Sequence, residues 1–256
     1  MSETISLDGS VAVVTGGAVG IGAVYVEGMA RAGASVLATD IDDEAAIALA
    51  GRLRADGLRV ESMRMDVTDP AQIDKAFRFA DRTFGGVDIL VNNAALFTTL
   101  LPMRPFTEIE SEEWAHVMKV NVEAPFLCAK AALPYLRRSG RGRIINISST
   151  TALTGAPTLL HYITSKGAVI ALTRALAREV GGDAITVNNI APGLTSSPTA
   201  LSTVDAERFD AAAATRALKR HQQPEDLVGT LLFLASEASS FVTGQTHVVD
   251  GGAFLQ

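Results

Sequence analysis

Tyr162 and Lys166 stand four residues apart in the stretch His161-Tyr162-Ile163-Thr164-Ser165-Lys166, and the residues after them carry a helical apolar period. On a helix, positions i and i+4 share a face, so a phenol and an ammonium can reach one site. A free phenol titrates near 10. To serve as a general acid or base at neutral pH it must be lowered by about 3, or roughly 4 kcal/mol, and a neighbouring ammonium is one source of that field. The same pair also reads as an ordinary helix face with an exposed lysine and a half-buried tyrosine. The elements that would position the pair decide between the two.

From Val11 onward, short Val/Ile-rich runs alternate with longer stretches of helical period: 11–15 then 20–32, 35–40 then 43–55, 58–65 then 70–84, and 87–92. A loop (94–110), a helix (111–138), a strand (142–148), a helix (159–180) and a strand (184–190) follow. A polar segment rich in Ser, Thr and Ala, 194–223, precedes a last helix (224–236) and strand (246–249). Apolar strands without polar alternation, separated by helices, predict an α/β fold: a doubly wound, mostly parallel seven-stranded sheet with helices on both faces. No linker or repeat divides residues 1–256, which predicts a single domain. At about 30 residues, segment 194–223 is too long for a plain connection and reads as a lid over a site.

Composition narrows the function classes. The 256 residues are 48% hydrophobic and 20% charged, with a net charge of -6. No run of Lys or Arg exceeds two residues, which argues against a nucleic-acid or anionic-membrane surface. No stretch approaches the roughly 18 apolar residues of a membrane span. Residues 1–10 include Glu3 and Asp8 and lack a basic start and an apolar core, so no signal peptide is predicted and a cytoplasmic location is expected. Cys128 is the sole cysteine, among Leu127, Ala129 and Ala131, and reads as helix packing. His116, His221 and His247 show no ligand spacing with Cys, Asp or Glu, so no metal site is expected.

Between the first strand and first helix, Thr15-Gly16-Gly17-Ala18-Val19-Gly20-Ile21-Gly22 places glycines where a pyrophosphate can approach backbone N–H groups at a helix N-terminus. Asp40, followed by Ile41, closes the second strand, where a carboxylate can accept both ribose hydroxyls of an adenosine; the alternative is a turn or cap residue. A 2′-phosphate beside Asp40 would meet like charge costing up to about 4 kcal/mol at an effective dielectric of about 20. No Arg or Lys occurs between Thr15 and Met29 to relieve it, so NAD is expected over NADP. Asp66-Val67 ends the third strand, with Asp66 reading equally as an adenine contact or as the N-cap of the helix at Pro70.

With these residues in place, the chain from Leu7 to Gly252 resembles the short-chain dehydrogenase/reductase family. The resemblance rests on the glycine turn, Asp66-Val67, Asn92-Asn93-Ala94-Ala95, Asn121, Ile147-Ser148-Ser149, Tyr162-Ile163-Thr164-Ser165-Lys166 and Asn188-Asn189-Ile190-Ala191-Pro192-Gly193, in that order. It implies a Rossmann-type sheet, a nicotinamide cofactor and alcohol–carbonyl interconversion by the tetrad Asn121, Ser149, Tyr162 and Lys166. The family's serine lies 13 residues before the tyrosine, which selects Ser149 over Ser148. The implied cofactor contacts are Gly16, Val19, Gly20, Ile21, Gly22, Asp40, Ile41, Asp66, Val67, Asn93, Ala94, Ala95, Tyr162, Lys166, Pro192, Gly193, Thr195 and Ser197. Two positions depart from the family pattern. Ala95 replaces its usual glycine, and Ser197 stands where it often has a threonine for the nicotinamide carboxamide, with Thr195 and Ser196 as rivals.

On this resemblance Tyr162 would carry the alcohol proton, Lys166 would supply its field and hold the nicotinamide ribose, and Ser149 would orient the substrate oxygen. Pro125 follows Asn121 by four residues and has no N–H to give its carbonyl, so it either holds that position open for a water or merely kinks the helix. The predicted substrate wall comprises 96–103, 153–160 and the segment after Gly193, with Ser149, Leu153, Leu159, Tyr162 and Leu194 as contacts. Its apolar character predicts a small or medium hydrophobic secondary alcohol or ketone. His161 reads as a surface or interface residue rather than a second base, and the basic group Arg216, Lys219, Arg220 and His221 as a solvated face or a closure over cofactor. Small residues Gly167, Ala168, Ala171, Ala175 and Ala177 permit close helix contact and, together with 246–252, which resemble the family's interface strand, imply a homotetramer. A 3-oxoacyl-thioester reductase and a non-catalytic nucleotide sensor are the alternatives; an enoyl reductase fits less well, because it usually spaces tyrosine and lysine more widely.

Overall fold

The computed structural model describes residues 5–97 and 100–255. Seven strands and ten helices follow one another as β1 (Val11–Thr15), α1 (Gly20–Arg31), β2 (Ser35–Asp40), α2 (Asp43–Ala55), β3 (Val60–Arg64), α3 (Pro70–Phe84), β4 (Ile89–Asn92), α4 (Ser111–Met118), α5 (Ala124–Ser139), β5 (Arg143–Ile147), α6 (Thr151–Thr154), α7 (Leu160–Val180), β6 (Thr186–Pro192), α8 (Pro198–Leu201), α9 (Ala206–Thr215), α10 (Val228–Ala235) and β7 (Thr246–Val249) among the described residues. The strands form one sheet in the order β3-β2-β1-β4-β5-β6-β7. Every pairing is parallel, so the sheet is wholly rather than mostly parallel. Strand order reverses between β1 and β4, which opens a crevice at their carboxyl ends, the place where such sheets bind ligands.

Strand side chains alternate between two apolar layers, as period 2 requires. Ala12, Val14, Val91 and Ile145 meet Tyr25, Met29, Leu53 and Leu231 from α1, α2 and α10 on one face. Val13, Leu90, Ile144 and Val187 meet Phe77, Cys128 and Leu136 from α3 and α5 on the other. This two-sided burial explains why the strands read as unbroken apolar runs.

Three elements differ from the sequence expectation. The helix predicted over 111–138 is divided by a π turn, Lys119–Glu123, between α4 and α5; Pro125 stands directly behind it without an N–H, a recurrent setting for such a break. Asp69, not Asp66, caps α3, accepting from Ala71 N at 2.9 Å. Segment 194–223, read from the sequence as one polar interruption, contains α8 and α9, and its two ends pair through a parallel bridge between Thr195 and Gln222.

Candidate active site

The glycine turn is built by close backbone approach. A Cβ on Gly16 would stand 2.8 Å from Ala94 Cα, and one on Gly22 would stand 1.9 Å from the Gly16 carbonyl oxygen. Gly16 and Gly20 also have φ of 60° and 58°, a region L side chains avoid. The turn is tied across the crevice: Asn93 Nδ2 donates to the carbonyls of Thr15 at 3.1 Å and Gly16 at 2.8 Å, while Thr15 Oγ1 accepts from Asn93 N and Ala94 N, each at 3.1 Å. Asp40 braces the same turn, accepting from Ala18 N at 3.0 Å and from Asp42 N at 3.1 Å. Val19 and Ile41, exposed to 47% and 61%, line the open side. Asp66 accepts from the amide and hydroxyl of Thr68, both at 2.8 Å.

Tyr162 and Lys166 lie on one face of α7 and are both buried. Lys166 Nζ donates to the Ile147 carbonyl at 2.9 Å and lies 5.7 Å from the Tyr162 ring centroid. Burial pushes the Lys166 ammonium down to about 8, at which it still holds its proton at neutral pH. Burial also pushes the Tyr162 phenol up to about 12, with the Ser149 hydroxyl acting in the opposite direction. In this arrangement desolvation, not the ammonium, governs the phenol, a reversal of the expectation for the isolated pair. Ser149 follows β5 and its Oγ accepts from Thr151 Oγ1 at 2.8 Å and Thr151 N at 3.2 Å. Its twin Ser148 is committed to structure, accepting from Asn189 Nδ2 at 2.6 Å.

Asn121 occupies the π turn and is buried. Its Oδ1 accepts from Leu96 N at 2.8 Å, and its Nδ2 donates to the Leu96 carbonyl at 3.2 Å and to Ser165 Oγ at 3.0 Å. Ser165 Oγ in turn donates to the Tyr162 carbonyl at 2.6 Å. Asn121 therefore fixes both the strand-end loop and, through Ser165, the catalytic-helix backbone. Ser165 escaped the sequence reading, although its place one turn past Tyr162 was visible.

The apolar side has two small clusters. Leu100, Val117, Leu159 and Tyr162 form one, with Leu96, Phe97, Met103 and Ile163 against it. Ala200, Val204 and Phe209 form the other, with Phe97, Leu101 and Leu194. Phe97 bridges them, its ring centroid 5.1 Å from that of Tyr162. Leu159 and Leu194 thus join this wall as expected, whereas Leu153, half-buried on α6, belongs to neither cluster. Thr98 and Thr99, in the predicted wall, lie outside the described residues. At the start of segment 194–223, Thr195 Oγ1 donates to the Gly193 carbonyl at 3.0 Å and Ser197 caps α8. Ser196 Oγ is buried without a hydrogen-bond partner among the described residues.

Two expectations are overturned. His161 is buried, not on the surface: its Nε2 lies 2.9 Å from Glu113 Oε1 and its Nδ1 accepts from Tyr162 N at 2.9 Å. Arg216 is likewise buried and strut-like rather than solvated, donating to the carbonyls of Leu194 at 2.6 Å and Arg220 at 2.9 Å. Arg220 pairs with Asp226 and His221 with Asp210, so only Lys219 keeps the exposed, carbonyl-capping character of a helix end.

The geometry agrees with comparisons to known proteins. A family profile described as Enoyl-(Acyl carrier protein) reductase matches residues 16–253. The chain is 35% identical over its whole length to 5-keto-D-gluconate 5-reductase of Escherichia coli K12, covering 99% of that protein. It is 39% identical to the 3-alpha-(or 20-beta)-hydroxysteroid dehydrogenase of Mycobacterium bovis, over 96% of this chain and 90% of that one. A crystal structure of gluconate 5-dehydrogenase from Burkholderia cenocepacia, in complex with NADP and tartrate, superposes with a TM-score of 0.90 at 35% identity, over 97% of this chain and 96% of that one. The chain belongs to the short-chain dehydrogenase/reductase family of oxidoreductases.

Proposed function

We propose that this oxidoreductase interconverts a small or medium hydrophobic secondary alcohol and its ketone with NAD. The observation that carries the reading is the buried Tyr162, its ring 5.1 Å from that of Phe97 and 5.7 Å from Lys166 Nζ, in the same domain as the backbone-packed glycine turn. The residues fit a nicotinamide cofactor: close backbone packing at Gly16 and Gly22 folds the turn tightly at the N-terminus of α1, where N–H groups can meet a pyrophosphate, and Ser196 offers a buried hydroxyl with no partner among the described residues. Gly16, Val19, Gly20, Ile21 and Gly22 would hold the pyrophosphate, Asp40 and Ile41 the adenosine ribose, and Asp66 and Val67 the adenine. Asn93, Ala94, Ala95, Tyr162 and Lys166 would hold the nicotinamide ribose side, with Pro192, Gly193 and the Thr195–Ser197 hydroxyls at the carboxamide. When bound, the cofactor supplies a site that accepts or returns a hydride.

The chain's own residues handle the proton. Tyr162 Oη takes it from the alcohol or returns it to the ketone oxygen, and Lys166, still charged at neutral pH, lowers the barrier to forming a buried phenolate. Ser149 Oγ hydrogen-bonds the same substrate oxygen and orients it. Asn121 keeps loop and helix in register through Leu96 and Ser165.

NAD is favoured because Asp40 places a carboxylate beside the turn and the turn contains no cation, so a 2′-phosphate would meet repulsion. The hydrophobic substrate class rests on the Phe97, Leu159 and Leu194 wall. The relatives' names span a keto sugar acid and a hydroxysteroid, both involving a secondary alcohol or its ketone, so the wall and not the family selects among them. β7 at the sheet edge and the small residues of α7 suit a homotetramer, which sedimentation would reveal.

The test is Tyr162→Phe, assayed at 340 nm against a panel of secondary alcohols and ketones with NAD(H) and NADP(H). We expect kcat to fall about 1,000-fold while NADH binding by fluorescence weakens by no more than about 3-fold, the cost of one ribose hydrogen bond, and wild-type kcat/KM to favour NAD by about 10-fold or more. Activity surviving in the phenylalanine variant would refute the proton role; preference for NADP would refute the cofactor assignment.

A further inference from the structure

The helix that carries Tyr162 lacks an ordinary start. Its N-cap is Leu159, whose side chain accepts nothing, and intrahelical bonding begins only with Ile163 N to the Leu159 carbonyl at 2.9 Å. The N–H of Tyr162 is therefore one of the unsatisfied donors of a helix first turn, the group an N-cap hydroxyl or carboxylate normally serves. Here His161 serves it from inside the helix, through Nδ1 at 2.9 Å.

That bond dictates the state of the ring. Because Nδ1 accepts, the proton sits on Nε2, which donates to Glu113 Oε1 at 2.9 Å. Glu113 reaches in from α4 and pairs with Arg104, which comes from the loop before α4. Burial raises the Glu113 carboxyl, yet the hydrogen bonds from His161 and Arg104 hold it below the usual carboxylate range, so a charged acceptor stays opposite Nε2. With both nitrogens engaged, His161 has no lone pair left for substrate. The Tyr162 peptide is gripped at both ends, its N–H by His161 Nδ1 and its carbonyl by Ser165 Oγ at 2.6 Å.

We infer that His161 is a positioning residue for Tyr162: Glu113, steadied by Arg104, fixes the Nε2–H tautomer, and the free Nδ1 caps the Tyr162 amide and thereby sets the phenol against Phe97 and Ser149. The inference rests on the reading of Tyr162 as proton carrier, but it concerns where that side chain sits and is testable without turnover.

Two substitutions divide the imidazole into halves. In His161→Asn, the amide oxygen stands where Nδ1 stood and keeps the cap; in His161→Gln, the amide reaches the Nε2 position, keeps the Glu113 link and loses the cap. The asparagine variant should retain kcat within about 3-fold, and the glutamine variant should lose about 10-fold in kcat with KM and NADH binding nearly unchanged. The protein has three tyrosines, Tyr162→Phe assigns the relevant signal, and the ring current of Phe97 makes the Tyr162 Hε resonance a report of placement. That resonance should match wild type in His161→Asn and move in His161→Gln. Equal behaviour of the two variants, whether both impaired or both intact, would overturn the inference, as would wild-type 15N spectra showing His161 protonated on Nδ1. If no alcohol in the panel is turned over, the function is in question while resonance and tautomer still decide this point.

Discussion

On the β1 side of the crevice a single methyl at Gly22 would stand 1.9 Å from a backbone oxygen, whereas towards segment 194–223 a methyl at Gly20 would stand 3.4 Å from Thr199 Oγ1, ordinary contact distance. The first wall is specified by backbone against backbone, tied through Asn93, Thr15 and Asp40. The second is held by small apolar clusters and by one buried cation, Arg216. A wall made of backbone recognises a part of the ligand that never changes, and a wall made of exchangeable side chains can be retuned to a new substrate.

The contrast breaks most severely at Gly22. Gly22→Ala has no room to relax, because the obstructing atom is a carbonyl of the turn, and we expect about 3 kcal/mol of destabilisation in urea titration and at least a roughly 100-fold loss of NADH affinity. Arg216→Met tests the other wall. Freeing the Leu194 and Arg220 carbonyls from their donor should lower stability by about 2 kcal/mol and raise KM about 10-fold while NADH binding stays close to wild type. If NADH binding collapsed instead, the walls would not be separable.

The smallest effect has the opposite sign. Lys166 is lowered to about 8 by burial, so its charged form is less favourable in the folded chain than in the unfolded one. That penalty is fully present below pH 8 and fades as pH rises towards the unfolded value near 10.4. Lys166→Met should therefore raise the unfolding free energy read by urea titration at pH 7, by about 1–2 kcal/mol after allowance for the lost bond to the Ile147 carbonyl, and the gain should shrink towards pH 10. A variant less stable than wild type at pH 7 would contradict the desolvation account. Activity should be lost in either case.

What could be read from the chain follows the same division. Gly16, Gly22 and Asn93 were legible because close backbone approach admits few residue types, and the seven strands because two-sided burial removes polar alternation. Pro125 announced the break at Asn121, since a missing N–H is a property of one residue. His161 and Arg216 were misread for a shared reason. Their partners are a carboxylate 48 residues away and backbone carbonyls of segment 194–223, and neither leaves a local pattern in the sequence. The cap of α3 shows the limit at short range: Asp66 and Asp69 are chemically equal candidates, and only the observed backbone assigns the cap to Asp69.

The bracing role of Asp40 constrains how this protein's cofactor preference can evolve. Its carboxylate holds the amides of Ala18 and Asp42, so replacing it to welcome a 2′-phosphate would also loosen the turn beneath the pyrophosphate. Ile41, 61% exposed, holds no such duty. On the proposed NAD preference, an adaptive path to NADP would begin with a cation at position 41, add one beside Val19, and alter Asp40 last, once the turn has another brace.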